Sequence, residues 1–369
     1  MNPAARLAQL QPSPIRALSE GAPPGAVAMG LGEPGWDLPE PARQALARQR
    51  GPCAYGPNAG LPALREAVAA FHGVGPDQTM LACGSQGALF ALFQAWLEPG
   101  AAVLVPDPGF LAYPALARLA GAEPVPYPLA TDFALDADAF RAVLDHCPQA
   151  KVAVINHPGN PTGAGASRQA LEAVAAACAA RGVLLLSDEV YRELALGERG
   201  PSLLECSDAG VVLGSVSKAW GAPGLRVGWA LGPAARLAPA RLVHAYMVTA
   251  PARPAQEAAL ALLEASDRVL AEARAHLRRR WQAFAQAYRE AFGQDPTPAA
   301  GGFYHWQPLP PAARADPMAF CLRLRDQGGV VVVPGSAFGP AGAGHLRLSY
   351  AGDPAQIQEG LRRLGPYWR

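Results

Sequence analysis

The sequence predicts an α/β fold, and three observations carry that expectation. Short β-rich runs alternate with helical stretches through the middle of the chain, the order that builds layered sheets with helices between strands. Runs such as Val183–Leu186 are continuously apolar, as in strands buried on both faces. Beyond about residue 300 the strand-like and helical segments follow a long helical stretch, which suggests a second, smaller α+β unit.

The first forty residues are rich in Pro and Gly, too short to fold alone, and expected to pack against that later unit. Helices are expected at Leu61–Phe71, stopping at Gly73, and at Gln86–Leu97. A third spans Arg168–Arg181, with Ser167 as N-cap and Gly182 beyond its end. Strands are expected at Ala102–Val105, Val152–Ile155, Val183–Leu186, Val211–Leu213 and Val227–Leu231. One long helix is expected over about 254–290. After it come a strand at 303–306, a helix near Pro317–Arg325, strands at 330–333 and 345–350, and a terminal helix.

The chain has 369 residues, half of them hydrophobic, with mean hydropathy +0.07. It can bury a large core, and its length suggests two or so domains. Gly and Pro together make about a fifth of the chain, below the level of ~25–30% that marks disorder. A net charge of +1 supplies no global field for nucleic acid or anionic lipid. Arg278, Arg279 and Arg280 lie in a helical pattern without interleaved aromatics and are expected on a solvated face. The N-terminus lacks an apolar signal core, and no uncharged apolar run approaches the ~18 residues of a membrane span. Six cysteines are scattered without a CxxC pair. That suits a reduced cytoplasm and argues against a disulfide scaffold or a zinc site.

Of 31 basic residues, 29 are Arg and only Lys151 and Lys218 are Lys. A coding bias explains the excess, but a retained lysine can do what arginine cannot, because an amine sheds its proton and attacks carbonyls. Two motifs mislead. Gly30–Gly35 matches GxGxxG, but Pro34 and Pro39 obstruct the helix that a dinucleotide site requires there. Ser215–Lys218 matches SxxK, but its SDN and KTG companions are missing.

Four segments make chemical sense together. Asn156–Gly163 (NHPGNPTG) follows a buried-type strand, and alone it reads as a turn. Asp188, Glu189 and Tyr191 follow the apolar run at 183–186, where open α/β sheets form their ligand crevice. Ser215, Ser217 and Lys218 follow another strand, with Arg226 eight residues beyond the lysine. Cys83–Gln86 is a strand-to-helix junction able to hold an anion.

This combination resembles the class I/II aminotransferases, fold-type-I enzymes that use pyridoxal 5′-phosphate. The resemblance runs from Leu31–Pro34 and Tyr55–Gly60 to Arg347–Ser349. It implies a large cofactor-binding α/β domain at 41–255, with a mainly parallel sheet flanked by helices. It also implies a discontinuous small α+β domain at 1–40 and 256–369, joined to the first by the long helix at about 254–290. Lys218 would form the Schiff base with the cofactor, a role that needs an amine. Asp188 would keep the pyridine nitrogen protonated. Asn160 and Tyr191 would bind the phenolic oxygen, and Phe110 would stack on the ring. Ser85, Gln86, Ser215, Ser217 and Arg226 would hold the phosphate. Tyr55 would reach the phosphate of a neighbouring subunit, which implies a homodimer with shared sites. Arg347 would grip the substrate carboxylate bidentately, with Gly32 adding a backbone contact and Asn160 beside it. Lys151 would be an ordinary surface lysine.

The implied activity is ping-pong transfer of an amino group from an L-amino acid to a 2-oxo acid, in the cytoplasm, with no metal. A lyase or decarboxylase on the same scaffold would keep Lys218 and Asp188 but break another bond. A regulator borrowing the fold would need an added DNA-binding domain, for which the first forty residues leave no room. No residue stands out as a cation for a second substrate carboxylate. Trp36 and Phe303–Trp306 suggest either an apolar side-chain pocket or core packing.

Overall fold

The structure, a computed structural model, describes residues 4–8, 10 and 12–368. Its centre is a seven-stranded sheet. In spatial order the strands are Thr79–Ala82, Gly228–Leu231, Val211–Ser215, Leu184–Asp188, Ala150–Asn156, Ala102–Asp107 and Glu123–Pro128. The last five run parallel, while Gly228–Leu231 lies antiparallel to both its neighbours. The three strands 150–156, 184–188 and 211–215 are buried almost throughout, which is why they read as unbroken apolar runs.

The helices flank this sheet for local reasons. Ser167 caps Arg168–Ala180 by accepting a hydrogen bond from the Ala170 amide, as an N-cap hydroxyl should. Pro62–His72 ends at Gly73 in the left-handed conformation, φ 69°, where glycine has no Cβ to clash. Gly84–Trp96 buries Leu89, Leu92 and Phe93 and packs on the sheet beside Ala234–Val248.

The C-terminal part has its own three-stranded antiparallel sheet, in which His345–Ser349 lies between Val333–Pro334 and Tyr304–Pro308. The N-terminal segment joins it: Val27 and Ala28 pair in parallel with Val330 and Val331. The helix Pro14–Glu20 also contacts this C-terminal part, whereas Ala5–Leu7 lies against the helix Ala112–Leu119.

Several expectations need correction. The long helix over 254–290 is two helices, Arg253–Glu264 and Ser266–Phe292, parted at Ala265 with φ −102° and ψ 19°. The run 330–333 is two short strands interrupted at Val332. The Arg278–Arg280 cluster is not uniformly solvated. Arg280 is buried, donates to the carbonyls of Ala351 (3.0 Å) and Gly35 (2.9 Å), and lies over the Trp36 ring. Trp36 stacks on His276 and so belongs to that packing rather than to a substrate pocket. Strands Thr79–Ala82 and Glu123–Pro128 and helices Ala112–Leu119, Ala137–Asp145 and Ala234–Val248 were not expected from the sequence.

Candidate active site

Asp107, Asn156, Asp188 and Ser215 all end parallel strands on one edge of the central sheet. The crevice outside those carboxyl ends is where such sheets bind ligands. A cleft of about 700 Å³ opens there. It is lined by Ser85, Gln86, Phe110, Asn160, Asp188, Tyr191, Ser215, Ser217, Lys218 and Arg226 from the central sheet and its helices. Gly32 and Arg347 line it from the N- and C-terminal segments. Every residue to which the resemblance gives a catalytic, cofactor or substrate role lines this cleft except Tyr55, which is 87% exposed and lies outside it. Lys151 is exposed at the opposite end of the strand Ala150–Asn156, away from the cleft.

Lys218 Nζ donates to the Gly32 carbonyl at 2.6 Å and lies 5.6 Å from the centre of the Tyr191 ring. The Gly32 position excludes any side chain, because a Cβ would collide with the Tyr304 hydroxyl. Tyr191 and Tyr304 share a hydroxyl–hydroxyl hydrogen bond of 2.8 Å. Burial, followed by Tyr304, drives the Tyr191 phenol well above its ordinary range, so it stays neutral and can donate.

Asp188 is buried, which raises its carboxyl above the usual range. The Tyr113 hydroxyl, the Val190 amide and the Lys218 charge oppose that shift. A cationic group placed against this carboxylate would be stabilised strongly, since water does not screen it there.

Arg226 occupies a left-handed corner, φ 53°, braced by its own bond to the Pro223 carbonyl at 2.9 Å. That corner brings its guanidinium against Gly84, the first residue of the helix Gly84–Trp96. A Cβ on Gly84 would fall 2.6 Å from Arg226 NH2, and Gly84 itself has φ 74°. A cation, a helix N-terminus and the hydroxyls of Ser85, Ser215 and Ser217 thus line one end of the cleft, a donor set suited to a phosphate dianion.

At the other end, buried Arg347 donates to Asn160 Oδ1 at 2.8 Å and to the Gly30 carbonyl at 2.6 Å. Its Nε is buried without a partner, an unusual state for a guanidinium donor and one that a ligand carboxylate would relieve. The carbonyl meeting Arg347 is that of Gly30, while Gly32 serves Lys218. One amine, one buried carboxylate, an aromatic face, a phosphate-type cradle and a carboxylate-type anchor match the functional groups of pyridoxal 5′-phosphate and an amino acid.

Four cleft residues escaped sequence reasoning. Tyr113, Asn156 and Tyr304 act through hydrogen bonds to residues distant in the chain. Arg16, on the short helix Pro14–Glu20, lines the cleft with Ser13 and Ile15. Phe303 and Trp306 are core residues, and only Tyr304 of that segment faces the cleft.

Comparisons with known proteins agree with this geometry. The family described as aminotransferase class I and II matches residues 26–364. The chain is 33% identical over 349 residues to an arginine–pyruvate transaminase of Pseudomonas aeruginosa, covering 91% of this chain and 88% of that one. It is 34% identical over 350 residues to an aspartate/prephenate aminotransferase of Thermus thermophilus, covering 92% and 90%. Among solved structures, the aspartate aminotransferase of Thermus thermophilus with maleate superposes with a TM-score of 0.90 at 31% identity, covering all of both chains. The N-succinyldiaminopimelate aminotransferase of Mycobacterium tuberculosis gives 0.90 at 29% identity, covering 99% of this chain and 100% of the other.

Proposed function

The chain belongs to the class I and II aminotransferases and is a pyridoxal-phosphate-dependent enzyme, and from that premise we propose the role of each residue in the cleft. Lys218 is the cofactor-bearing lysine. The observation that carries this is its Nζ, the only lysine amine lining the cleft that also holds the buried carboxyl of Asp188 and the phosphate-type cradle at Arg226.

Bound there, pyridoxal 5′-phosphate supplies an electron sink for the pair released at the substrate Cα. Asp188 would hold the proton of the ring nitrogen. Asn160 and Tyr191 orient the ring through its phenolic oxygen, and Phe110 covers one face. Ser85, Gln86, Ser215, Ser217 and Arg226 fix the phosphate. Arg347 orients the amino acid by its carboxylate, and that fixed geometry lowers the barrier entropically. The amine of Lys218, once free, would take the proton from the substrate Cα and deliver it to the carbon that had carried the aldehyde, and Tyr191 would fix where that amine sits. The side chain of the neighbouring Arg16 makes no hydrogen bond or ion pair among the described residues and lines the cleft, so it serves substrates with an acidic side chain.

The enzyme works as a homodimer in which Tyr55 completes the partner's phosphate site. Supporting this, Tyr55, Leu242, Tyr246 and Met247 are large apolar side chains left exposed, and the last three share the helix Ala234–Val248. The domain division at 41–255, with 1–40 and 256–369 as the small domain, is supported by the pairing of Val27–Ala28 with Val330–Val331. A cytoplasmic location suits six free cysteines, three of them buried.

Borohydride reduction of the yellow protein followed by peptide mapping tests the assignment. The cofactor should be found on Lys218 and be lost in Lys218→Ala; labelling elsewhere, or none, overturns it. An amino-acid panel with 2-oxoglutarate should give stoichiometric amino transfer. Catalytic ammonia and pyruvate without an acceptor would overturn transamination as the main reaction.

A further inference from the structure

The segment 156–163 must present Asn160 to the cleft, yet its backbone is poorly equipped to hold itself there. Pro158 and Pro161 carry no N–H and so cannot be tied by main-chain hydrogen bonds. The far end is closed by backbone bonds from Gly159 N to the Ala164 carbonyl and from Gly163 N to the Gly159 carbonyl, both 2.8 Å. At the near end one side chain makes three of the bonds. Asn156 Oδ1 accepts from the Asn160 amide at 2.8 Å. Asn156 Nδ2 donates to the Asp188 carbonyl at 2.8 Å and to the Pro158 carbonyl at 3.3 Å.

Asn156 and Asp188 are register partners in adjacent parallel strands, so the amide bridges across the sheet edge at the point where both strands end. The Asp188 carbonyl also accepts from the His157 amide at 3.2 Å, which occupies both of its lone pairs. Beyond these bonds, Asn160 Oδ1 accepts from Arg347 and Asp188 Oδ2 accepts from Tyr113. A continuous polar path therefore runs from Arg347 through Asn160 and Asn156 to Asp188. It ends on the main-chain carbonyl of Asp188, and so joins the end of the cleft with the carboxylate-type anchor to the backbone that carries the buried acid.

We propose that Asn156 is a positioning residue that sets Asp188 and Asn160 as one unit, so that a carboxylate arriving at Arg347 is felt at Asp188. Asparagine suits the task because a planar amide offers an acceptor and two donors from one short side chain. Aspartate would lose the donors, and leucine would lose everything. Asn156 touches neither the cofactor nor the substrate in this assignment; it acts through the two residues that do. The proposal rests on the roles given above to Asp188, Asn160 and Arg347.

The test compares wild-type holoenzyme with Asn156→Ala. The visible absorption of the bound cofactor is titrated with pH, with and without saturating propionate as a carboxylate that cannot react. In Asn156→Ala the titration midpoint should move by about one pH unit, the size expected when a hydrogen-bonded ionisable system loses one fixed partner. The propionate-induced shift seen in the wild type should fall by at least about half, since its path is cut. If the alanine variant does not fold, Asn156→Ser is read by the same titration, because a hydroxyl cannot span both strands. A midpoint and a propionate shift equal to wild type overturn the proposal, whatever happens to the melting temperature. A wild-type protein that takes up no cofactor at Lys218 overturns the underlying assignment and this proposal with it. Normal uptake with an unmoved titration overturns this proposal alone.

Discussion

The hydroxyl of Tyr113 donates a 2.8 Å hydrogen bond to Oδ2 of Asp188, and both residues are buried. Burial raises the Asp188 carboxyl, and the bond from Tyr113 is the first of the groups that pull it back. Tyr113→Phe should therefore leave Asp188 harder to ionise and weaken its hold on a protonated ring nitrogen. Hydrogen bonds to charged groups contribute about 1.5–3 kcal/mol, so kcat should drop roughly 10- to 100-fold. The cofactor should remain attached at Lys218. Steady-state rates together with the absorption spectrum decide the matter; an unchanged kcat would remove Tyr113 from the machinery.

Arg347→Lys should spare cofactor binding and damage substrate capture. Two of the arginine's donors already hold Asn160 and Gly30, and its Nε is buried unpartnered. A lysine ammonium cannot reproduce that planar fork. The loss should be about 2–3 kcal/mol, or roughly 30- to 150-fold in kcat/KM for every amino acid. A loss confined to one side-chain class would place the carboxylate elsewhere.

Arg16→Ala should act only on side-chain preference. The residue lines the cleft without an ion-pair partner among the described residues, so removing it should raise KM for glutamate and aspartate about tenfold, the size of one partly exposed charge-assisted contact. Alanine as donor should be unaffected. Equal effects on both donors would count against a role in discrimination.

What could be read in the sequence, and what could not, follows from how far apart the cooperating atoms lie along the chain. Asp188 ends a buried strand, Asn160 and Lys218 follow one within a few residues, and Arg226 just precedes another, so the alternation of apolar strand and polar turn exposes them. The role of Tyr113 is defined by a carboxylate 75 positions away, and nothing local marks it. The strand Glu123–Pro128 was hidden by its three prolines, Pro124, Pro126 and Pro128, which normally argue against a strand. It tolerates them because it is an edge strand, paired only with Ala102–Asp107. Pro239 likewise sits inside the helix Ala234–Val248. The break at Ala265 carries neither Gly nor Pro, so the helical pattern runs through it unmarked. Arg280 reads as solvated because burial of a guanidinium depends on carbonyls supplied by Gly35 and Ala351, which the helix pattern cannot foresee.

Tyr55 separates a shared site from a self-contained one. Lys218→Ala and Tyr55→Ala should each be severely impaired alone. If Tyr55 serves the partner subunit, a hybrid dimer of the two variants contains one complete site, with Lys218 from one chain and Tyr55 from the other. Random reassortment should then restore up to about a quarter of wild-type activity. If Tyr55 serves its own chain, no hybrid site is complete and mixing should add nothing. Coexpression with two affinity tags isolates the hybrid for assay.

The buried trio behind the site predicts how stability changes with pH. His157 Nε2 lies 2.9 Å from Ser187 Oγ, which donates to Glu189 Oε1 at 2.9 Å. Burial, then the Arg192 charge, pushes His157 down to about 3, so it is neutral in the folded protein at any ordinary pH. The unfolded chain takes up a proton below about pH 6.5 that the folded one refuses, so this residue removes stability progressively as pH falls from about 6.5 toward 3. Glu189 runs the other way. Burial raises it to about 7, so the folded state gains relative stability as pH falls from about 7 toward 4.5. His157→Gln retains a hydrogen-bonding partner for Ser187 and removes only the first effect. Between pH 7 and pH 5 the variant should lose about 2 kcal/mol less than the wild type, the linkage expected for one histidine depressed this far. Urea titrations at the two pH values measure the difference. Parallel losses in the two proteins would mean that His157 takes up its proton in the folded state after all, and that the Ser187–Glu189 pair accommodates the charge.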